Sequence, residues 1–162
     1  AKAAAVKRAA AERLTDLLGY TPGSVDCAQL RTAILAARRA QVAGSLITKA
    51  EILLQGAEQL AAEQAAAERV QALGWSIGAV CVSAFDDASS KLCKGDRGKV
   101  VGPGTSTGGD AAQRVLVDFG GKGRINVLAK DQIVTMVEHE RQQAAAAAAV
   151  RADAEGAAAA KA

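Results

Sequence analysis

Apolar residues recur every three or four positions up to Leu73, switch to short alternating runs from Trp75 to Val137, and then give way to alanine. The first period is that of a helix buried on one side, the second that of a strand. Residues 2–18 predict a helix with Val6, Leu14, Leu17 and Leu18 on one broad face, ending near Gly19. The turn Tyr20-Thr21-Pro22-Gly23 follows. A second helix, capped by Ser24 or Asp26, runs to about Val42 with Cys27, Leu30, Ile34 and Ala37 at helical spacing. Gly44 then stops it and Ser45 offers the next N-cap. The third helix spans about Leu46 to Leu73 along a stripe of Leu46, Ala50, Leu53, Ala57 and Leu60. So short a link predicts that helices two and three form an antiparallel αα-hairpin. After Leu60 the stripe thins to Ala, Gln and Glu until Val70, so the distal half is expected on a partner or in solvent.

Between Trp75 and Val137 the pattern predicts five short antiparallel strands. The first covers Ile77 to Phe85, with Ile77, Ala79 and Cys81 on one face and Val80 and Val82 on the other. Asp86 to Lys94 reads as a polar loop, and Gly98-Lys99-Val100-Val101 starts the second strand. Pro103 to Ala112 is a long Gly/Thr/Ser loop. Val115, Val117 and Phe119 share a face of the third strand. Gly120-Gly121-Lys122-Gly123 is a hairpin turn into the fourth strand, which holds Ile125 and Val127. Ile133 to Val137 supplies the fifth. Five strands in so short a stretch fit a small β-barrel, giving an α+β chain in three parts: helices over 1–73, a barrel over 74–137 and an Ala-rich helix over 138–162.

That last part opens with Glu138-His139-Glu140-Arg141-Gln142-Gln143 and six alanines, and Gly156 is expected to break it. It forms helix readily but has hardly any core face, so it should fray unless something holds it. Alanine also supplies about a quarter of the 162 residues, with one Trp, one Tyr and two Phe. Burial must therefore rest on Leu, Ile and Val, and a partner that covers the helices would add stability.

Charge narrows the functions available. The net charge is +3 and is spread evenly between the helical part and the barrel, without the strong basic bias of a dedicated nucleic-acid domain. Cys27, Cys81 and Cys93 are too far apart for zinc spacing, and the single histidine, His139, completes neither a metal site nor a triad. Cys93, beside Lys91 and Lys94, is the one candidate reactive thiol. The loop Gly102-Pro103-Gly104-Thr105-Ser106-Thr107-Gly108-Gly109 lacks the Gly-Lys-Ser/Thr ending of a phosphate-binding loop. No cofactor, metal or enzyme activity is expected. No apolar run is long enough to cross a bilayer, so contact with a membrane complex would be peripheral. A chain beginning at Ala1 without Met reads as one whose leader was removed, or as part of a longer product.

Gly95-Asp96-Arg97-Gly98-Lys99-Val100-Val101-Gly102 resembles the Gly-x-x-Gly-x-Val core of SH3-like and KOW-type barrels. The order that follows suits the same superfamily: Arg-Val-Leu-Val-Asp-Phe, a Gly-rich turn, Arg-Ile-Asn-Val-Leu and Asp-Gln-Ile. The segment is also similar to SH3-like repeats of alanine-rich proteins in GC-rich algae. The aromatic groove of peptide-binding SH3 domains and the aromatic cage of Tudor domains are both missing. What the resemblance leaves is a docking platform, or a KOW-like RNA contact through Lys94, Arg97, Lys99, Lys122 and Arg124 with Trp75 as a stacking ring. Asp86, Asp87, Asp96 and Asp118 stand ready to neutralise those cations. The sequence thus favours a non-catalytic accessory subunit whose partners are proteins of a larger assembly. The algal resemblance points to an organelle, and to a photosynthetic, respiratory or ribosomal particle in it.

Overall fold

The computed structural model describes residues 2–159. It is an α+β chain: three helices, five antiparallel strands and a final helix. Two compact units divide it, Ala1–Ala65 and Ala66–Ala162, and the division falls inside the third helix.

The first unit holds α1 (Lys2–Leu18), α2 (Cys27–Arg39) and most of α3 (Gly44–Ala72). Asp26 is the cap of α2, its carboxylate accepting the Ala28 amide at 2.8 Å and the Gln29 amide at 3.2 Å. Ser24 instead closes the preceding turn, bonding back to Thr21. Leu14, Leu30, Ala33, Ile34, Ala37, Val42 and Ala50 are buried together, so all three helices feed one core. Val6 departs from the expected stripe and is 57% exposed. The end of α2 offers it only Arg39, Ala40 and Gln41, which line an open groove with it. Leu60 is likewise exposed, and from there to Arg69 only Ala66 is even half-buried.

The reversal between α2 and α3 is not made by Gly44 and Ser45, which lie inside α3. Gln41 makes it, in the left-handed region at φ 53°. Its amide bonds to the Arg38 carbonyl, while the Val42 amide reaches back to the Ala37 carbonyl. This is the Schellman arrangement, with Val42 packed beside Ala37 as the accompanying apolar contact. The end of α3 repeats it: Gly74 sits at φ +82°, its amide on the Gln71 carbonyl, and the Trp75 amide is on that of Val70. Trp75 and Val70 are buried in the same cluster.

In the second unit the strands are β1 (Val80–Ser83), β2 (Arg97–Pro103), β3 (Arg114–Asp118), β4 (Arg124–Leu128) and β5 (Ile133–Thr135). They form one sheet in the order β4-β3-β2-β1-β5, every pair antiparallel. The expected barrel does not close, because β4 and β5 are the two edges and do not pair with each other. Cys81, Val100, Val115, Val117, Phe119, Val127 and Ile133 fill the inner face. Gly98 is required there, since a Cβ on it would stand 2.5 Å from Val117 Cγ1 and 2.7 Å from Phe119 Cδ1.

Several boundaries differ from the sequence expectation, and three have a visible cause. Strand β1 starts at Val80 rather than Ile77, because Gly78 turns the chain at φ +91° and leaves Ile77 47% exposed. Strand β5 stops at Thr135, whose hydroxyl accepts the Glu138 amide at 3.2 Å and so opens the last helix, α4 (Met136–Ala159). That helix continues through Gly156, where a break was expected; residues 160–162 of the predicted tail lie outside the described residues. Asp86 to Lys94 is also more than a polar loop. Asp87 and Leu92 exchange backbone hydrogen bonds at 2.8 and 3.0 Å, which delivers the Leu92 side chain into the core.

Candidate partner-binding surfaces

Strand register decides what the basic residues can do together. Lys99 on β2 lies opposite Asp118 on β3, and Asp118 lies opposite Arg124 on β4. Asp118 therefore stands between two cations, with the Arg124 Nε 3.7 Å from its carboxylate. Residues directly opposite on antiparallel strands share a face, so the Lys99–Asp118–Arg124 row alternates in sign. Val80 on β1 extends the row and is 53% exposed.

Lys122 does not join that row. Its ammonium binds the carboxylate of Asp96, which also accepts the Cys93 amide at 2.6 Å. The Lys122 hydrogen bond and then the Cys93 amide hold the Asp96 carboxyl below its ordinary pKa. Asp110 is lowered in the same way by Arg114, whose guanidinium is 2.8 Å away. Asp87 is lowered by the Ser90 and Ser89 hydroxyls. The Asp86 carboxylate takes the backbone amide of Lys94 at 2.7 Å. Of the five cations read from the sequence, then, the fold sets Lys99 and Arg124 about one carboxylate and Lys122 on another. Arg97 is exposed on β2 opposite Val82, and Lys94 borders a separate groove.

Trp75 is not available as a stacking ring. It is only 9% exposed, packed in the core, and its indole N–H is committed to the Ala129 carbonyl at 3.0 Å. Its small exposed part borders the groove of about 590 Å3 that Lys94, Lys130, Asp131 and Glu138 also line.

The cysteines separate by environment. Cys93 is exposed and Cys27 half-buried, whereas Cys81 is fully buried. Burial pushes the Cys81 thiol up to about 11, so it stays a neutral, inert hydrophobe. His139 bonds Gln143 one turn along α4, at 2.9 Å. Among the described residues no three His, Cys, Asp or Glu side chains are grouped to hold a metal, and no helix is long and apolar enough to cross a membrane.

The sequence offered the α2–α3 hairpin as a face for a partner's helix but not the residues that frame it. On the α2–α3 hairpin, Arg31 pairs with Glu58 at 2.7 Å and Arg38 pairs with Glu51. Both arginines and both glutamates are two helical turns apart, and this register sets Leu35 against Leu54 midway between the ion pairs. A groove of about 450 Å3 lies there, lined by Ile34, Leu35 and Leu54 with Arg31, Arg38 and Glu51. The matched spacing of seven in Arg31/Arg38 and Glu51/Glu58 was the available signal. It becomes informative only once the two helices are known to be antiparallel.

Comparison with protein-family models, with curated proteins and with solved structures finds no match to this chain.

Proposed function

We propose that this chain is a non-catalytic accessory subunit that docks onto a larger assembly, its helices and its sheet unit both meeting protein partners. One observation carries the reading. From Glu140 to Ala152 every side chain of α4 is exposed, Val150 among them at 69%. Helices in proteins owe most of their stability to a packed face. A helical segment exposed on every side, as residues 140–152 are, is well suited to a face supplied by a neighbour. The exposed Leu35, Ile52 and Leu60 on the earlier helices add to that demand. An organellar assembly, photosynthetic, respiratory or ribosomal, and an SH3-like, KOW-type descent for the sheet unit belong to the same proposal. They rest on the Gly95–Gly102 motif and the alanine-rich composition. The RNA-binding alternative draws less support, because carboxylates sit among its cations and its aromatic ring is buried.

Hydrogen exchange tests the proposal. In the purified chain, amides of α4 beyond Gln143 should exchange near the unprotected rate, and they should become protected in the particle recovered from native cells. Full protection in the purified chain would show that α4 needs no neighbour and would remove the reading.

A further inference from the structure

The open face of the α2–α3 hairpin has the shape and charge to receive a copy of itself. Leu35 is 54% exposed beside half-buried Leu54, and ion pairs bound this apolar rung on both sides. The two arginines lie on α2 and the two glutamates on α3, so the face is positive along one helix and negative along the other. We propose that it binds a second copy of the same hairpin, giving a two-fold symmetric four-helix bundle.

Symmetry and charge select the arrangement. A two-fold axis running along the helices sets α2 of one copy over α3 of the other, antiparallel. Arg31 then faces the second copy's Glu58, and Arg38 faces its Glu51. An axis across the helices would instead set arginine over arginine and glutamate over glutamate, which like-charge repulsion disfavours. In the first arrangement Leu35 and Leu54 of both copies meet at the centre, and each arginine gains a second carboxylate. The contact is isologous and closes after two copies. Exposed ion pairs contribute little within one chain, so here they serve mainly to fix register.

Sedimentation of the full chain over roughly 1 to 100 µM reads the proposal, a range that covers micromolar affinities. The wild type should dimerise, and Leu35→Glu should weaken association about tenfold or more by placing a carboxylate at the buried centre. Two further variants, Arg31→Glu/Arg38→Glu and Glu51→Arg/Glu58→Arg, should each be monomeric alone and should pair when mixed in equal amounts. The mixture keeps the test decisive if Leu35→Glu fails to fold, which circular dichroism detects. A wild type monomeric at the highest concentration overturns the proposal and leaves the groove to a helix of another protein. So does a dimer that Leu35→Glu leaves unchanged in folded form, or a mixture that does not associate. None of these outcomes bears on the exchange of α4, so this inference and the accessory-subunit reading fail separately.

Discussion

Trp75 donates its indole N–H to the carbonyl of Ala129, 3.0 Å away and 54 positions later in the chain. The bond ties the chain just past α3 to the turn between β4 and β5. Ala129 is 4% exposed, so water cannot readily replace the lost donor. Trp75→Phe should therefore destabilise the sheet unit by about 1–3 kcal/mol, the usual cost of stranding a buried acceptor. Urea unfolding followed by circular dichroism measures it, since the variant loses the only tryptophan. A loss below about 0.5 kcal/mol, less than a typical net hydrogen bond, would mean the ring holds this position by packing alone.

Gln41 occupies the left-handed conformation that glycine adopts freely. Its side chain is exposed, so little contact is lost by removing it. Gln41→Gly should stabilise the helical unit by about 0.5–1 kcal/mol, the relief of left-handed strain outweighing the added freedom of the unfolded chain. Gln41→Val should do the reverse, because β-branched residues tolerate this conformation least. Thermal melts of the two variants would read opposite shifts in midpoint.

Acid should weaken the sheet unit through Asp96. Its folded pKa lies below the ordinary 3.8 because Lys122 and the Cys93 amide favour the charged carboxylate. Above the ordinary value both folded and unfolded forms are ionised and the full stabilisation is present. As pH falls past it, the unfolded chain takes up the proton first, and stability is lost down through the folded value. Asp87 and Asp110 act with the same sign. Asp96→Asn should lower the urea midpoint at pH 7 and lower it less at pH 3. Equal losses at both pH values would contradict this account.

Much of the fold was legible before any coordinates. The end of α1 follows from Leu14, Leu17, Leu18 and Gly19, and of the two expected caps of α2, Ser24 and Asp26, Asp26 is the one used. The alternation Val115–Val117–Phe119 gave the inner face of β3, because a strand buried on one side leaves a period of two. Long-range placement was not legible. Whether Lys122 meets Asp96 or Asp118 depends on strand order and register, which no local pattern encodes. Leu92 looked like a loop residue until the Asp87–Leu92 bridge turned it inward. Trp75 illustrates the same limit: its indole N–H meets Ala129, 54 positions away, which no local pattern encodes.

An unclosed sheet invites strands from other molecules to add at its edges, yet β4 offers little purchase. The Leu128 amide is bonded to the Gln132 side chain at 2.7 Å, and the Leu128 carbonyl to the Gln132 backbone at 3.1 Å. The Asn126 carbonyl accepts the Arg114 guanidinium at 3.2 Å, and its side chain holds Thr105 of the long loop. Both backbone groups of Leu128 and the Asn126 carbonyl are thus already bonded, which leaves less of this edge free to template another strand. On the accessory-subunit proposal the chain is made before any neighbour covers it. Bonded groups on β4 would narrow one route to strand addition during that interval.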